Sequence, residues 1–270
     1  MRIAGLGARP PAADDVATAL AGAAALLGQR PAITALTLSG RREQGFASLA
    51  GWVAKGANLL SAELDVGPGD RVGLAGPPGW PLAAVALSAW WVGATVVPAA
   101  STTSGTLAVA VLHVAAHDAA ARLGSTERFV IGDALDGTGE PTGPLAGLEQ
   151  WADAVTPHGD RPPPPARDGD LVALAGGTDG AEHSQRALLS EQAVAGEAGG
   201  TAGDAGGAGG ALGIVRVADE DVLARSDAAA LLATLALRPL VTGAATVVLD
   251  RDDADREAHA TAERVRHWYA

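Results

Sequence analysis

The segment between residues 71 and 98 constrains the fold most, because it predicts a strand, a helix and a second strand separated by short turns. Residues 71–75 and 94–97 are apolar runs of strand length. The helix between them has Pro81 in its first turn and Gly93 after its end, where helices favour these residues. Strands joined in this way are parallel, with a right-handed crossover. The sequence therefore predicts an α/β fold, a mostly parallel sheet with helices on both sides.

Hydrophobic spacing predicts further elements along the chain. The helix predicted over 46–64 carries Phe46, Leu49, Val53 and Leu60 on one apolar stripe. The other predicted helices cover 16–27, 106–121, 147–155, 187–197, 227–240 and 252–268, and the other predicted strands cover 32–38, 41–44, 128–131, 171–175, 212–217 and 244–249.

The helix predicted over 16–27 is the most apolar run, and it is too short to span a bilayer. Asp14 and Asp15 stand directly before it, where a secretory signal carries positive charge. Asp14 is predicted to cap this helix and Gly28 to end it. We therefore expect a soluble, cytoplasmic protein.

Composition excludes several classes of function. The formal net charge of −12 argues against nucleic acid and anionic membranes as partners. The chain has no cysteine, so it has neither disulfides nor thiolate chemistry. Lys55 is the only lysine, and its position off the apolar stripe of its helix predicts a solvated surface residue.

Two histidines with the spacing of metal ligands do not predict a metal site. His113 and His117 are four residues apart in the helix predicted over 106–121. Val114 stands where the zinc-protease pattern His-Glu-x-x-His has its glutamate. The chain also lacks the Gly-x-Ser-x-Gly elbow of serine hydrolases. We therefore predict no metal ligands and no catalytic residues.

A glycine-rich loop separates the strand predicted over 171–175 from the helix predicted over 187–197. Gly176 and Gly180 bound this loop and allow backbone N–H groups to approach a ligand closely. Strand, loop and helix together predict a phosphate-binding cradle. Asp179 and Glu182, however, stand where a phosphate favours positive charge.

Three motifs resemble the N-terminal, AMP-binding domain of the adenylate-forming superfamily, which includes acyl-CoA synthetases, nonribosomal peptide adenylation domains and luciferases. They are Phe46-Ala-Ser-Leu-Ala, Val66-Gly-Pro-Gly-Asp-Arg-Val and Ala89-Trp-Trp-Val-Gly-Ala-Thr-Val-Val-Pro98. Residues 235–249 resemble a later strand of the same domain. The resemblance implies a single truncated domain over 1–270, of a short actinobacterial type, with a Pro-rich spacer at 157–166 and a Gly-rich insertion at 197–213.

Residues 175–184 fall where this superfamily keeps its phosphate loop, Thr/Ser-Ser/Thr-Gly-Thr-Thr/Ser-Gly-x-Pro-Lys-Gly. Gly177, Thr178 and Gly180 match the pattern, whereas Asp179 replaces a hydroxyl residue and His183 replaces the lysine. The resemblance implies ATP or AMP with Mg²⁺ as the ligand. The nucleotide-binding residues that it implies are Gly176, Gly177, Thr178, Asp179, Gly180 and His183.

The resemblance supports three hypotheses about function. The first is a catalytically degenerate protein of this type that retains weak nucleotide or acyl-adenylate binding or has an interaction role. The alternative is an ATP-dependent, acyl-activating half-enzyme completed by a partner chain. The third is a protein–protein module that uses the face left bare by truncation, which predicts an exposed apolar patch.

Overall fold

The computed structural model describes residues 9–37, 40–99, 106–121, 123–125, 127–132, 137–139, 145–176, 181–198, 211–216, 227–250 and 253–269. The α-helices in this part of the chain are α1 (Val16–Leu27), α2 (Phe46–Asn58), α3 (Trp80–Trp91), α4 (Trp151–Val155), α5 (Gln185–Ala198), α6 (Ala228–Thr242) and α7 (Arg256–Ala262), and a π-helical turn over Leu59–Glu63 follows α2. The strands are β1 (Pro31–Thr37), β2 (Gly40–Gly45), β3 (Arg71–Ala75), β4 (Thr95–Pro98), β5 (Val109–His113), β6 (Glu127–Ile131), β7 (Glu149–Gln150), β8 (Val172–Ala175), β9 (Glu182–Ser184), β10 (Ala211–Arg216), β11 (Thr246–Asp250) and β12 (Val265–Tyr269).

The larger sheet has the strand order β7-β6-β5-β3-β4-β8-β9. Strands β3 and β4 are parallel, as the strand–helix–strand pattern predicts. The other neighbours are also parallel except β8 and β9, which form an antiparallel pair at one edge. Because parallel strands run in the same direction, the carboxyl ends of β3, β4, β5 and β8 lie along the same side of the sheet, here called its carboxyl edge.

The smaller sheet has the strand order β12-β10-β11-β1-β2. Strands β12, β10, β11 and β1 are parallel to one another, and β2 returns antiparallel to β1 at the edge. The predicted α/β class with mostly parallel strands is confirmed, but the strands are divided between two sheets.

One large core joins the two sheets. Val72 of the larger sheet and Val248 of the smaller one are both fully buried in it, together with Leu20 of α1, Trp90 of α3 and Leu237 of α6. Each such large apolar side chain contributes about 1.5–3 kcal/mol on burial. Both sheets therefore pack one face against a shared helical layer.

The prediction of a helix over 106–121 is wrong. Residues 109–113 form strand β5, and 3₁₀ turns follow over Val114–Ala121. Strand β5 lies between β3 and β6, and its residues on both faces are at most 7% exposed. The sequence of a strand that is buried on both faces is a continuous apolar run. The spacing of its hydrophobic residues does not distinguish it from a buried helix.

The helix predicted over 252–268 is also too long. Helix α7 ends at Ala262, and strand β12 follows and pairs with β10. Arg264 between them has φ +58°, a left-handed conformation that interrupts a helix. Val265, Trp268 and Tyr269 belong to the residue types that favour strands.

The first helix begins and ends as its sequence indicates, but with a different cap. Asp15, and not Asp14, caps α1: its Oδ1 accepts a hydrogen bond from the backbone N–H of Thr18 at 2.8 Å. Gly28 ends the helix with φ +54°. Among the described residues no helix has both the length and the apolar character needed to cross a bilayer.

The two segments predicted as spacer and insertion differ in how much of them the structure describes. In the Gly-rich segment, α5 continues to Ala198 and β10 begins at Ala211, while 199–210 lie outside the described residues. Residues 156–166, here called the strap, run along α2 and α3. Trp91 Nε1 donates to the Pro163 carbonyl at 3.0 Å, and the Ala166 N–H donates to the Trp91 carbonyl at 2.9 Å.

Candidate functional site

The candidate site is the β8–β9 hairpin, at the sheet edge where β3, β4, β5 and β8 end. Ligands of open α/β sheets bind outside the carboxyl ends of the strands. The Gly176 N–H donates to the Ala181 carbonyl at 2.9 Å and closes the base of the turn. Gly176 has φ +109°, a conformation that side chains rarely adopt. The predicted ligand residues Gly177, Thr178, Asp179 and Gly180 lie outside the described residues.

Strand β9 corrects the predicted order of strand, loop and helix. Ala175 pairs with Glu182, Leu174 with His183 and Val172 with Ser184, so the chain returns along β8 before helix α5 begins at Gln185. The loop therefore does not run directly into a helix N-terminus. A phosphate at the loop would therefore not have the dipole of α5 next in sequence.

Glu182 and Arg71 form an ion pair at the hairpin. The guanidinium of Arg71 lies 3.5 Å from the Glu182 carboxylate, and their side chains are 24% and 51% exposed. A pair with this exposure contributes about 0–1 kcal/mol to stability. The guanidinium offsets the negative charge that the sequence places at the expected phosphate site.

His183, the second described residue of the predicted ligand set, lies on β9 and is partly exposed. It presents an imidazole where the pattern has a lysine. Arg186, the next cation along the chain, is directed to other carboxylates, since its guanidinium lies 3.2 Å from Asp170 and 3.9 Å from Asp14. The described residues of the hairpin thus provide no lysine and no free arginine from this segment.

Gln185 anchors the hairpin, and the sequence analysis did not identify it. Its side chain is fully buried. Its Oε1 accepts from the Val16 N–H at 2.8 Å, and its Nε2 donates to the Trp90 carbonyl at 3.0 Å. Its backbone N–H donates to the Leu171 carbonyl at 3.0 Å. One glutamine thus joins the start of α1, the end of α3 and the start of β8; no local pattern marks such a long-range contact.

The sequence predicted Lys55 to be a solvated surface lysine, and this prediction is wrong. Its Nζ donates to the His158 carbonyl at 2.7 Å and lies 3.0 Å from the Asp160 carboxylate. Its side chain is only 25% exposed. The only lysine of the chain is therefore bound to the strap and does not belong to the hairpin.

His113 and His117 do not share a helix face, because His113 ends strand β5 and His117 lies in the following 3₁₀ turns. The buried His113 ring accepts a hydrogen bond at Nδ1 from the Ala115 N–H at 3.1 Å. No cluster of three or more metal-ligating side chains occurs in the described part of the chain.

Comparison with known proteins finds no family model that matches the chain. A Mycobacterium tuberculosis protein, named only by a numbered family, is 36% identical over 134 residues, which cover 49% of this chain and 55% of the relative. The Brucella canis acyl-CoA synthetase superposes with a TM-score of 0.62 and 21% identity, over 89% of this chain and 44% of that enzyme.

Two further structures place the likeness within the larger enzymes. The N-terminal domain of FACL13 from Mycobacterium tuberculosis has a TM-score of 0.62 and 17% identity, over 93% of this chain and 61% of that domain. ATP-bound MatB from Rhodopseudomonas palustris has a TM-score of 0.59 and 18% identity, over 93% of this chain and 48% of that enzyme. The chain thus spans about half the length of the relatives that it matches, and it has the fold of the N-terminal domain of acyl-CoA synthetases and related adenylate-forming enzymes.

Proposed function

We propose that the protein is a catalytically degenerate counterpart of adenylate-forming enzymes that binds nucleotide phosphates weakly at the β8–β9 hairpin and does not form acyl adenylates by itself. The fold and the position of the hairpin at the carboxyl edge of the sheet support nucleotide as the ligand class. The ATP-bound state of MatB, a protein of the same fold, supports the same class.

The proposal depends mainly on the charged groups at the hairpin, where a carboxylate is present and a lysine is absent among the described residues. Glu182 stands where the pattern has proline, and its carboxylate contacts Arg71 at 3.5 Å. His183 stands where the pattern has lysine, and Lys55 is bound by the His158 carbonyl and Asp160 instead. A triphosphate repels carboxylates and favours cations, so this set of groups supports weak binding at most.

The described residues fit ATP with Mg²⁺ only in part. Carboxylate and phosphate oxygens are both ligands that Mg²⁺ prefers, so Glu182 is the described residue that would hold the ion beside a nucleotide. Arg71 of β3 is the described cation that contacts Glu182, so its charge is already partly used by that carboxylate. The residues therefore support binding of the nucleotide, and we derive no adenylation step from them.

Calorimetric titration with Mg²⁺–ATP and with AMP tests the binding part. We expect saturable heat with a dissociation constant in the millimolar range for the natural chain, and weaker binding for Thr178→Ala. The double variant Glu182→Pro/His183→Lys removes a negative charge and adds a positive one, so ATP should bind about tenfold more tightly. The matched control Glu182→Pro/His183→Gln removes the same carboxylate without adding a cation, so it should gain less affinity than the lysine variant. Absence of heat in all variants would overturn the proposal.

A second candidate function is an acyl-activating half-enzyme completed by a partner chain. The Arg71 guanidinium favours it, because it reduces the repulsion between Glu182 and a phosphate. Pyrophosphate release from ATP distinguishes the two candidates. Release that occurs with a panel of carboxylic acids only after a separate C-terminal domain of an acyl-CoA synthetase is added would replace the first proposal by the second.

The third hypothesis, an exposed apolar patch for a protein partner, receives no support from the described residues. Val194 is the single large apolar side chain among them that is mostly exposed, at 65%. An interaction role stays a prediction, and light scattering of the purified chain tests it by showing whether the chain self-associates.

A further inference from the structure

A groove on the outer side of α2 has features of a small-molecule site. It encloses about 740 Å³ between α1, α2, the end of α3 and the strap. Small-molecule pockets in proteins typically enclose about 300–1,000 Å³ and combine an apolar floor with a few polar groups. The residues that line the groove include none from the β8–β9 hairpin.

The floor of the groove is apolar, and small side chains leave space above it for a ligand. One face of α2 supplies it with small residues, Ala47, Ala50, Gly51 and Ala54. Trp52 and Trp91 contribute aromatic surface. Both indoles are held in place, since Trp91 Nε1 donates to the Pro163 carbonyl at 3.0 Å and the Trp52 ring lies 5.2 Å from that of Trp80.

Lys55 and Asp160 are the charged residues on the wall of the groove. The Lys55 ammonium has three N–H donors, and the two oxygens bound to it are the His158 carbonyl at 2.7 Å and Asp160 Oδ1 at 3.0 Å. One donor is left for a ligand in the groove. The contact with the His158 carbonyl is the shorter of the two, and it does not involve Asp160.

Asp160 is the weaker of the two partners. Its side chain is 77% exposed, and an exposed ion pair of this kind contributes about 0–1 kcal/mol. A ligand carboxylate can therefore join Asp160 at Lys55 or replace it at small cost, whereas a ligand ammonium would meet the fixed positive charge of Lys55. The charge distribution favours an anionic head group.

We propose that this groove binds amphipathic carboxylates, with the carboxylate on Lys55 and the apolar body on the small-residue face of α2 between Trp52 and Trp91. The proposal rests on the groove alone and does not depend on nucleotide binding at the hairpin.

The test compares octanoate, 1-octanol and octylammonium, which have equal chain length and different head groups, by calorimetry on the full chain. We expect octanoate to bind most tightly and octylammonium least tightly. Lys55→Met should weaken octanoate about tenfold and leave octanol unchanged, because it removes the charged donor. Lys55→Arg should restore most of the affinity, and Asp160→Asn should strengthen octanoate two- to threefold, as expected from the loss of a weak exposed pair.

Gly51→Leu is the variant that separates binding in the groove from binding elsewhere. A Cβ on Gly51 would meet only Asp160 Oδ1, at 3.9 Å, so the larger side chain can enter the groove without a clash at its base. Leucine is also a better helix former than glycine, so the variant should fold and melt no lower than the natural chain. We expect it to abolish binding of all three probes.

Tryptophan fluorescence locates the bound probe. Octanoate should change the emission of the natural chain, and Trp52→Phe should reduce that change. The proposal is overturned if octanoate and octanol bind equally, if octylammonium binds most tightly, or if binding persists unchanged in Gly51→Leu.

Discussion

The base and the outer end of the β8–β9 hairpin differ in how their polar groups are used. At the base, the buried Gln185 satisfies a donor at the start of α1 and an acceptor at the end of α3. Toward the outer end, Glu182 contacts Arg71 at 3.5 Å with half of its side chain exposed. A buried hydrogen bond costs much more to break than an exposed ion pair. The groups that hold the hairpin in place are thus separate from the groups that would meet a ligand.

The largest effect is expected at the base. Gln185→Ala leaves the Val16 N–H without its buried partner and removes one of the two hydrogen bonds that the Trp90 carbonyl accepts, the other coming from the Gly93 N–H at 3.1 Å. We expect a loss of roughly 2–4 kcal/mol in the free energy of unfolding. Urea denaturation measures it. Gln192→Leu is the matched control in α5, because Gln192 is also buried but its Oε1 has no hydrogen-bond partner. A control loss as large as that of Gln185→Ala would contradict the role given to the Gln185 contacts.

The two adjacent tryptophans of α3 give the next effect. Trp90 is fully buried and donates from Nε1 to the Ala173 carbonyl of β8 at 2.6 Å, so Trp90→Phe should cost about 1–3 kcal/mol. Trp91→Phe loses a bond to the strap, which lies nearer the surface, and should cost less than about 1 kcal/mol. Thermal melting of both variants compares them. Equal losses of melting temperature would show that the buried hydrogen bond to β8 contributes no more to stability than the bond to the strap.

The Asp253–His259 pair at the start of α7 should respond to acid. The side chain of His259 lies 2.7 Å from Asp253, and this hydrogen bond lowers the pKa of Asp253 below its ordinary value of 3.8. The pair therefore stabilises the fold above that pH, and the contribution is lost as the pH falls through the pKa of the folded state. Asp253→Asn should unfold more readily than the natural chain near neutral pH, and the difference should shrink in acid. Denaturation followed from about pH 6 to about pH 3 measures it. A difference that grows in acid would contradict this sign.

The smallest effect is expected at Glu182. Glu182→Gln should change the free energy of unfolding by less than about 1 kcal/mol, because its ion pair is exposed to solvent. The same denaturation experiment at low and high salt checks it, since salt should remove any difference. A large, salt-independent loss would mean that Glu182 supports the hairpin as Gln185 does.

The sequence predicts a helix or strand well where an apolar stripe lies on one helix face or where turn residues stand at both ends of the element. The strand–helix–strand unit over residues 71–98 was predicted within a few residues. The helix predicted over 46–64 is α2 with the π-helical turn Leu59–Glu63 after it, and Phe46, Leu49, Val53 and Leu60 are all buried as their spacing indicates. Strand β5 and strand β12 were missed. The first is apolar on both faces, and the second depends on its pairing with β10 for its structure.

The site was predicted less completely than the fold. The conformational freedom needed at Gly176 and the absence of lysine could be seen in residues 175–184. Strand β9 could not, because three polar residues carry no strand signal of their own. Gln185 and the contacts of Lys55 with the strap were also beyond reach. They join residues that are about 100 or more positions apart, and no local pattern encodes such pairs.

The pairing of β1 with β11 has a consequence for how the chain folds during synthesis. Ile33 pairs with Thr246, and Arg41 on the adjoining strand binds Glu263, which is 222 residues further along. Ribosomes add about 5–20 residues per second, so β1 waits roughly ten to forty seconds for its parallel partner β11. During that time one edge of β1 has no strand beside it, and an unpaired strand edge can pair with another chain on the ribosome.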